Sequence, residues 1–270
     1  MGKENRGAKA ARAEAQAARQ EAQIAERARE RRVRLIGGLV VLLVMGGLLA
    51  IPLMSGKNDG PTTSADAKLP TGVTKDTYGV KVGPAWTAAN ADTIPTLQIW
   101  EDFQCPACGQ MEQKSGQTIL DLAAAGKIRL EWRPTIFLDN NLKAENTAAG
   151  NPDSSLRATA AFGCAVDQGK ATEFHTALFG AQPTTEGEGY SDDALLAIAK
   201  ANMDETQLAA FTTCFTAKQY EGWVQNSYDL FSKEGVTSTP TAILNGKELP
   251  SDTAFDPAKL TEAITAATAS

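Results

Sequence analysis

Apolar residues follow three different rules along this chain. In residues 1–34 large apolar side chains are almost absent, Ile24 and Val33 being the only ones after Met1. Residues 35–54, "LIGGLVVLLVMGGLLAIPLM", are then an unbroken run of 20 apolar or small residues. After a stretch at 55–78 that is dense in Gly, Ser, Thr, Pro and charge, apolar and polar positions alternate with the periods of strands and helices to the end of the chain.

Coiled into a helix, 20 residues rise about 30 Å, the thickness of a bilayer core. The run therefore predicts a transmembrane helix at 35–54. Arg27, Arg29, Arg31, Arg32 and Arg34 crowd against its start, which by the positive-inside rule leaves the N-terminus in the cytoplasm and everything after about residue 55 outside. A cleaved signal peptide is the competing assignment, since "SADA" at 64–67 resembles a cleavage site. A signal core is only about 7–15 residues long, however, and this site lies ten residues past the run, so a retained anchor is expected. Segment 1–34 carries ten Lys or Arg against five Glu and has no heptad seam, which predicts a solvated basic helix at anionic head groups rather than a coiled coil. Residues 55–78 cannot bury enough apolar surface to fold alone and are assigned to a flexible linker.

About 190 residues remain, enough for one good core. "TLQIWEDF" (96–103) has Leu97, Ile99 and Phe103 at alternating positions and predicts a strand. From Pro106 the spacing of Met111, Ile119, Leu122 and Ala123 predicts a helix that stops at Gly126, and "KIRLEWRPTIF" (127–137) a second strand. Strand, helix and strand make a βαβ unit. A polar loop is expected around 139–153, then helices at 154–168, 170–179, 191–202 and 204 to about 234. "TPTAILNGKELP" (239–250) returns to strands joined by an Asn-Gly hairpin turn, and "DPAKLTEAITAA" closes with a helix. The expected class is α/β, with strands at both ends and helices between.

Charge adds one exclusion. The chain carries –6 overall, and without the +5 of residues 1–34 the remainder carries –11. An acidic exported part disfavours nucleic acid as a partner.

The candidate chemistry sits where the first strand meets its helix, in "EDFQCPACGQ" (101–110). Cys105 at an N-cap with Pro106 at the first helical position would put Cys105 and Cys108 one above the other, within reach of a disulfide. Unpaired N–H groups and the helix dipole there stabilise a thiolate, the only form of cysteine that attacks disulfides. Cys105 is then the exposed nucleophile and Cys108 the resolving thiol. Zinc would need two more ligands, yet Cys164 and Cys214 are 50 residues apart and His175 is the only histidine, so no metal or other cofactor is expected. A purely structural staple is the remaining alternative.

"FQCPACG", "FGCAVDQGKATEFHTALF" and "GVTSTPTAILNG", in this order, resemble the DsbA-like thiol:disulfide oxidoreductases, particularly membrane-anchored actinobacterial members, over residues 79–270. The resemblance implies a thioredoxin-like fold with an inserted α-helical domain, here at about 154–234. It also implies a dithiol that passes its disulfide to reduced exported polypeptides and is reoxidised by a quinone-linked membrane partner of the DsbB or VKOR type. Pro240 is implied to be cis, with Thr239 beside the cysteines presenting its backbone to substrate. A reductase or isomerase would use the same dithiol, and a tethered peptide-binding chaperone would use the groove without it. Monomer is the default state.

The chain departs from the family pattern twice. Ala107 stands where the best-known motif has His, so the thiolate at Cys105 is expected to be stabilised less than in the strongest oxidants. The buried acid that many thioredoxin-fold enzymes keep six residues before the first cysteine is replaced by Ile99. Glu101 or Asp102 can substitute as proton acceptor, or both are simply exposed charges. Cys164 and Cys214 lie on separate predicted helices, and an even cysteine count outside the membrane favours a structural disulfide between them over two buried thiols. His175, between Phe174 and Leu178, is expected to be structural.

Overall fold

The computed structural model describes residues 65–268. The expected membrane helix at 35–54, segment 1–34 and the beginning of the linker lie outside the described residues. Among the described residues no helix is long and apolar enough to cross a membrane.

A short first strand, β1 (Val80–Val82), precedes β2 (Thr96–Glu101). Then follow α1 (Pro106–Met111), a π turn at Glu112–Gly116 and α2 (Gln117–Ala124), which together form one continuous helical stretch. Gly126, at φ +66°, takes the left-handed conformation that ends it. The chain returns through β3 (Arg129–Pro134), which pairs parallel to β2 from Thr96↔Arg129 to Glu101↔Pro134. This is the βαβ unit that the apolar periods predict.

Seven helices then intervene: α3 (Phe137–Asn141), α4 (Lys143–Ala148), α5 (Ser154–Asp167), α6 (Ala171–Gly180), α7 (Asp192–Asn202), α8 (Glu205–Thr216) and α9 (Glu221–Lys233). The last five occupy the span expected of a helical insertion. The two short ones replace the expected loop at 139–153, because five or six residues are too few to display an apolar stripe. β4 (Thr241–Leu244) and β5 (Lys247–Glu248) form the Asn-Gly hairpin, with positive φ at both Asn245 and Gly246, followed by α10 (Ser251–Ala254) and α11 (Pro257–Thr268). The sheet order is β1-β3-β2-β4-β5, with only the β2–β3 pair parallel.

The central strands are covered on both faces, as parallel strands require. Leu97, Ile99 and Trp132 are buried on one face, where Trp132 meets Phe162 of α5. Trp100 turns to the other, edge-on to Phe231 of α9 at 5.4 Å and under the Arg133 guanidinium at 4.0 Å. Helix α5 is sequestered along nearly its whole length, and its small residues allow this. At Gly163 an added Cβ would come within 2.9 Å of both Trp223 and Tyr220 and 3.1 Å of Pro70. A disulfide joins Cys164 of α5 to Cys214 of α8.

The last residues of the stretch assigned by composition to a linker are held by the domain. Pro70 and Val73 are buried, Thr71 donates from its backbone and hydroxyl to Asp167, and the Trp223 indole donates to the Tyr78 carbonyl at 2.9 Å. Residues 70–78 thus lie on the domain. Two buried side chains and three hydrogen bonds hold them there, which a composition average cannot register.

Candidate functional site

β2 delivers the chain to Cys105, which is extended at φ –72° and ψ 116° and caps the helix that Pro106 begins. The Cys105 N–H donates to the Asp102 carbonyl at 2.9 Å and fixes the turn between strand and helix. Both Cys105 and Cys108 are free thiols. Cys105 keeps 7% of its surface and Cys108 none, so the expectation of an exposed nucleophile is corrected to a largely buried one. Ala107, Phe137, Leu142 and Phe179 are half-buried around the pair and make its surroundings apolar.

Antiparallel pairing of β4 with β2, which sets Trp100 opposite Thr241, carries the residues before β4 up to the cysteines. The Thr239–Pro240 peptide is cis. The Cys105 thiol donates to the Thr239 carbonyl at 3.3 Å, while the Thr239 hydroxyl has no partner of its own and is free to donate to a thiolate.

These contacts separate the two sulfurs chemically. Hydrogen bonding from Cys108 lowers the Cys105 pKa to about 6, against the opposing effect of burial and with help from Thr239 and the N–H groups of Cys108 and Ala107. Burial, reinforced by Cys105 itself, holds the Cys108 thiol well above the ordinary range. Near neutrality the outer sulfur is a thiolate and the inner one a thiol.

Glu101 and Asp102 are both buried, at 1% and 0% exposure, so neither is a solvated surface charge. They face different surroundings. Asp102 accepts from the Gln104 N–H at 2.8 Å, the Leu138 N–H at 2.9 Å and the Ser155 hydroxyl at 2.6 Å, tying the cysteine turn to α3 and α5. Burial and the neighbouring Asp139 raise its pKa to about 7, although those three donors oppose the shift. Gln104 extends the same network to Asp139 and Asn146.

Glu101 has a single close partner. Its Oε1 lies 2.5 Å from Nε2 of His175, and its other oxygen has none. Burial, followed by the charge at Cys105, lifts the Glu101 pKa well above the carboxylate range. Glu101 in turn helps to raise the pKa of Cys108, so the two are electrostatically coupled. His175 stacks on Trp132 at 3.7 Å with a 10° tilt and has Phe103, Phe162 and Phe179 around it. It lies in the core, and its nitrogens address carboxyl groups. Glu101, Glu112 and His175 bring ligand-type atoms within 4.8 Å of one another. The 2.5 Å contact between two of those atoms is a hydrogen bond, whereas atoms sharing a metal stand farther apart.

Sequence reasoning missed Glu112 and Gln182. Glu112 follows Cys108 by four residues and so shares its helix face, which is a usable signal. Gln182, whose amide donates to the Phe103 and Cys105 carbonyls at 2.7 and 3.0 Å, lies in a connector 77 residues beyond Cys105 and leaves no such trace.

A family model described as Thioredoxin matches residues 87–266. MdbA, a thiol-disulfide oxidoreductase from Actinomyces oris, superimposes with a TM-score of 0.60 at 25% identity, covering 73% of this chain and 92% of that one. Oxidised DsbA from Mycobacterium tuberculosis gives 0.58 at 26% identity, over 71% and 93% of the two chains. Reduced DsbG from the same organism, a disulfide bond oxidoreductase, gives 0.53 at 25% identity, over 77% and 86%. No curated protein sequence matches the chain.

Proposed function

The chain belongs to the thioredoxin family, in its DsbA-like branch, and we propose that this thiol:disulfide oxidoreductase introduces disulfides into exported proteins from a membrane tether. The observation that carries this reading is the asymmetry of the dithiol. Cys105 is held as a thiolate at a helix N-cap, and Cys108 is held as a buried thiol behind it. A stabilised thiolate favours the reduced dithiol and therefore makes the disulfide form more oxidising.

In the oxidising direction a substrate thiolate attacks the Cys105 sulfur of the enzyme disulfide. The Cys105–Cys108 bond breaks, a Cys105–substrate bond forms, and the electron pair left on Cys108 takes up a proton. A second substrate thiolate then attacks its own mixed-disulfide sulfur and releases Cys105 as a thiolate. Two substrate thiols are oxidised to a disulfide and the enzyme disulfide is reduced to a dithiol, which balances the exchange. Glu101, buried and coupled to Cys108, acts as the proton donor and acceptor. Asp102 serves to position the turn, since its oxygens are already occupied. Thr239 and Pro240 present the backbone edge against which an extended substrate lies, beside the apolar surface of Phe137 and Phe179.

The 20-residue apolar run at 35–54 with its basic flank supports a single-pass anchor in the plasma membrane, N-terminus in the cytoplasm and catalytic domain outside. Reoxidation by a quinone-linked membrane protein of the DsbB or VKOR type follows from family membership.

Equilibrating the full chain with glutathione redox buffers tests the direction of the exchange. A potential near the oxidising end of thiol oxidoreductases, about –120 mV, supports disulfide introduction, and one near about –270 mV assigns a reductase instead.

A further inference from the structure

Dithiol exchange at Cys105 and Cys108, on which this inference rests, leaves open how the proton of a fully buried sulfur reaches water. Cys108 has no exposed surface and Glu101 only 1%, so Glu101 can trade one proton with Cys108 but cannot renew it from solvent directly. We propose that His175 and Glu112 form the proton path between Glu101 and solvent, so that Glu101, His175 and Glu112 together supply and withdraw the proton of Cys108.

The three groups come from the end of β2, from α6 and from the π turn, and they are arranged in series. Glu101 Oε1 is 2.5 Å from His175 Nε2, and His175 Nδ1 is 4.0 Å from Glu112 Oε2. A side-chain shift of about 1 Å brings the second pair within hydrogen-bond reach. Glu112 keeps 11% of its side-chain surface and lines an open pocket of about 240 Å³ with Gly109, Gly116 and Thr176. The path therefore ends at water. The π turn and Gly116 make room for it, since a Cβ at Gly116 would come within 2.5 Å of Glu112 Oε2. Such turns are frequent at functional sites.

Most buried polar atoms find a hydrogen-bond partner, and a neutral imidazole offers one donor and one acceptor. Here Nδ1 is buried without a hydrogen-bond partner, and the nearest carboxyl oxygen is that of Glu112, 4.0 Å away. Trp132 and the surrounding phenylalanines fix the ring plane, so the imidazole stays in line with both carboxyl groups. The groups facing it that can carry charge are Glu101 and Glu112, and Glu101 also faces Cys105 and Cys108.

The proton count closes. As the Cys105–Cys108 bond breaks, Glu101 gives its proton to Cys108, the Nε2 proton of His175 moves to Glu101, Nδ1 takes one from Glu112, and Glu112 refills from water. The imidazole ends in its other tautomer. When Cys108 loses its proton during reoxidation, the same moves in reverse restore it. Burial keeps His175 neutral, with a pKa near 4, and raises Glu112 to about 7, where it exchanges protons readily at neutral pH.

Stopped-flow reduction of the oxidised full chain by dithiothreitol, followed by tryptophan fluorescence across pH, tests the path. Glu112→Ala should slow the reaction about 100-fold, the scale of general acid–base catalysis, and added acetate, which fits the vacated carboxylate position, should restore the rate. Glu112→Gln should be slow and unresponsive to acetate, and it decides the matter if the alanine variant fails to fold. Wild-type rates in either variant across the pH range, or a slow Glu112→Ala that acetate leaves unchanged, overturn the path. Exchange that survives Cys105→Ser would instead overturn the dithiol reading beneath it.

Discussion

The Glu101 carboxyl lies 2.5 Å from the His175 imidazole, with side-chain exposures of 1% and 0%. Neither group is placed there by the needs of packing alone, since burying a carboxyl and an imidazole costs more than burying apolar residues of the same volume. Glu101 also acts electrostatically on Cys108, the sulfur that must change its protonation state in every exchange.

Glu101 and Asp102 should therefore fail differently when neutralised. Glu101→Gln keeps a partner for His175 and should slow exchange by about 100-fold or more with little loss of stability. Asp102→Asn sets an amide N–H against donors from Gln104, Leu138 and Ser155 and should cost about 1–3 kcal/mol in urea unfolding. Rates and unfolding curves of the two variants check the division of labour.

The reduced protein should gain stability as the solution becomes more alkaline, relative to its Cys105→Ser variant. The Cys105 pKa falls from 9.0 to about 6 on folding, so its contribution is complete above about pH 9 and is lost as pH falls through about 6. Within that window the difference should change by about 1.4 kcal/mol per pH unit. Ultraviolet thiolate absorbance should give the same midpoint, near 6, in the reduced wild type.

Glu112 works in the opposite sense. Its pKa rises from 4.5 to about 7, so its contribution is present below about pH 4.5 and is lost as pH climbs through about 7. Glu112→Gln should become more stable relative to wild type across that interval, and denaturant unfolding at several pH values measures it. A difference independent of pH would remove Glu112 from the buried network.

Two changes probe the helical insertion. Replacing both Cys164 and Cys214 by Ala opens a link spanning 50 residues and should cost about 4 kcal/mol on the chain-entropy account. Gly163→Ala forces a methyl against Trp223, Tyr220 and Pro70 and should cost about 1–3 kcal/mol. It should also speed proteolysis within residues 70–78, which that packing holds down.

Much of this architecture is legible in the sequence because periodic burial leaves a periodic trace. The β2–helix–β3 unit, helices α5 to α9 and the Asn-Gly hairpin all carry it. β1 has three residues with Lys81 at its centre, and α3 and α4 have fewer than two turns each, so no period develops. The buried carboxyl–imidazole pair had a partial trace. Glu101 continues the alternation of Leu97 and Ile99, and His175 stands three residues before the buried Leu178 on the same helix face. Which polar group each one meets is decided by the docking of α6 on the sheet, across 74 residues of chain. No local pattern contains that.

Trapping the first covalent intermediate shows which sulfur attacks. Each protein is reduced, mixed with glutathione disulfide, quenched with acid and mapped by mass spectrometry. Glutathione is expected on Cys105 in the Cys108→Ser variant, an internal Cys105–Cys108 disulfide without glutathione in the wild type, and an unmodified Cys108 in Cys105→Ser. Glutathione on Cys108, in either the wild type or Cys105→Ser, would contradict Cys105 as the attacking sulfur.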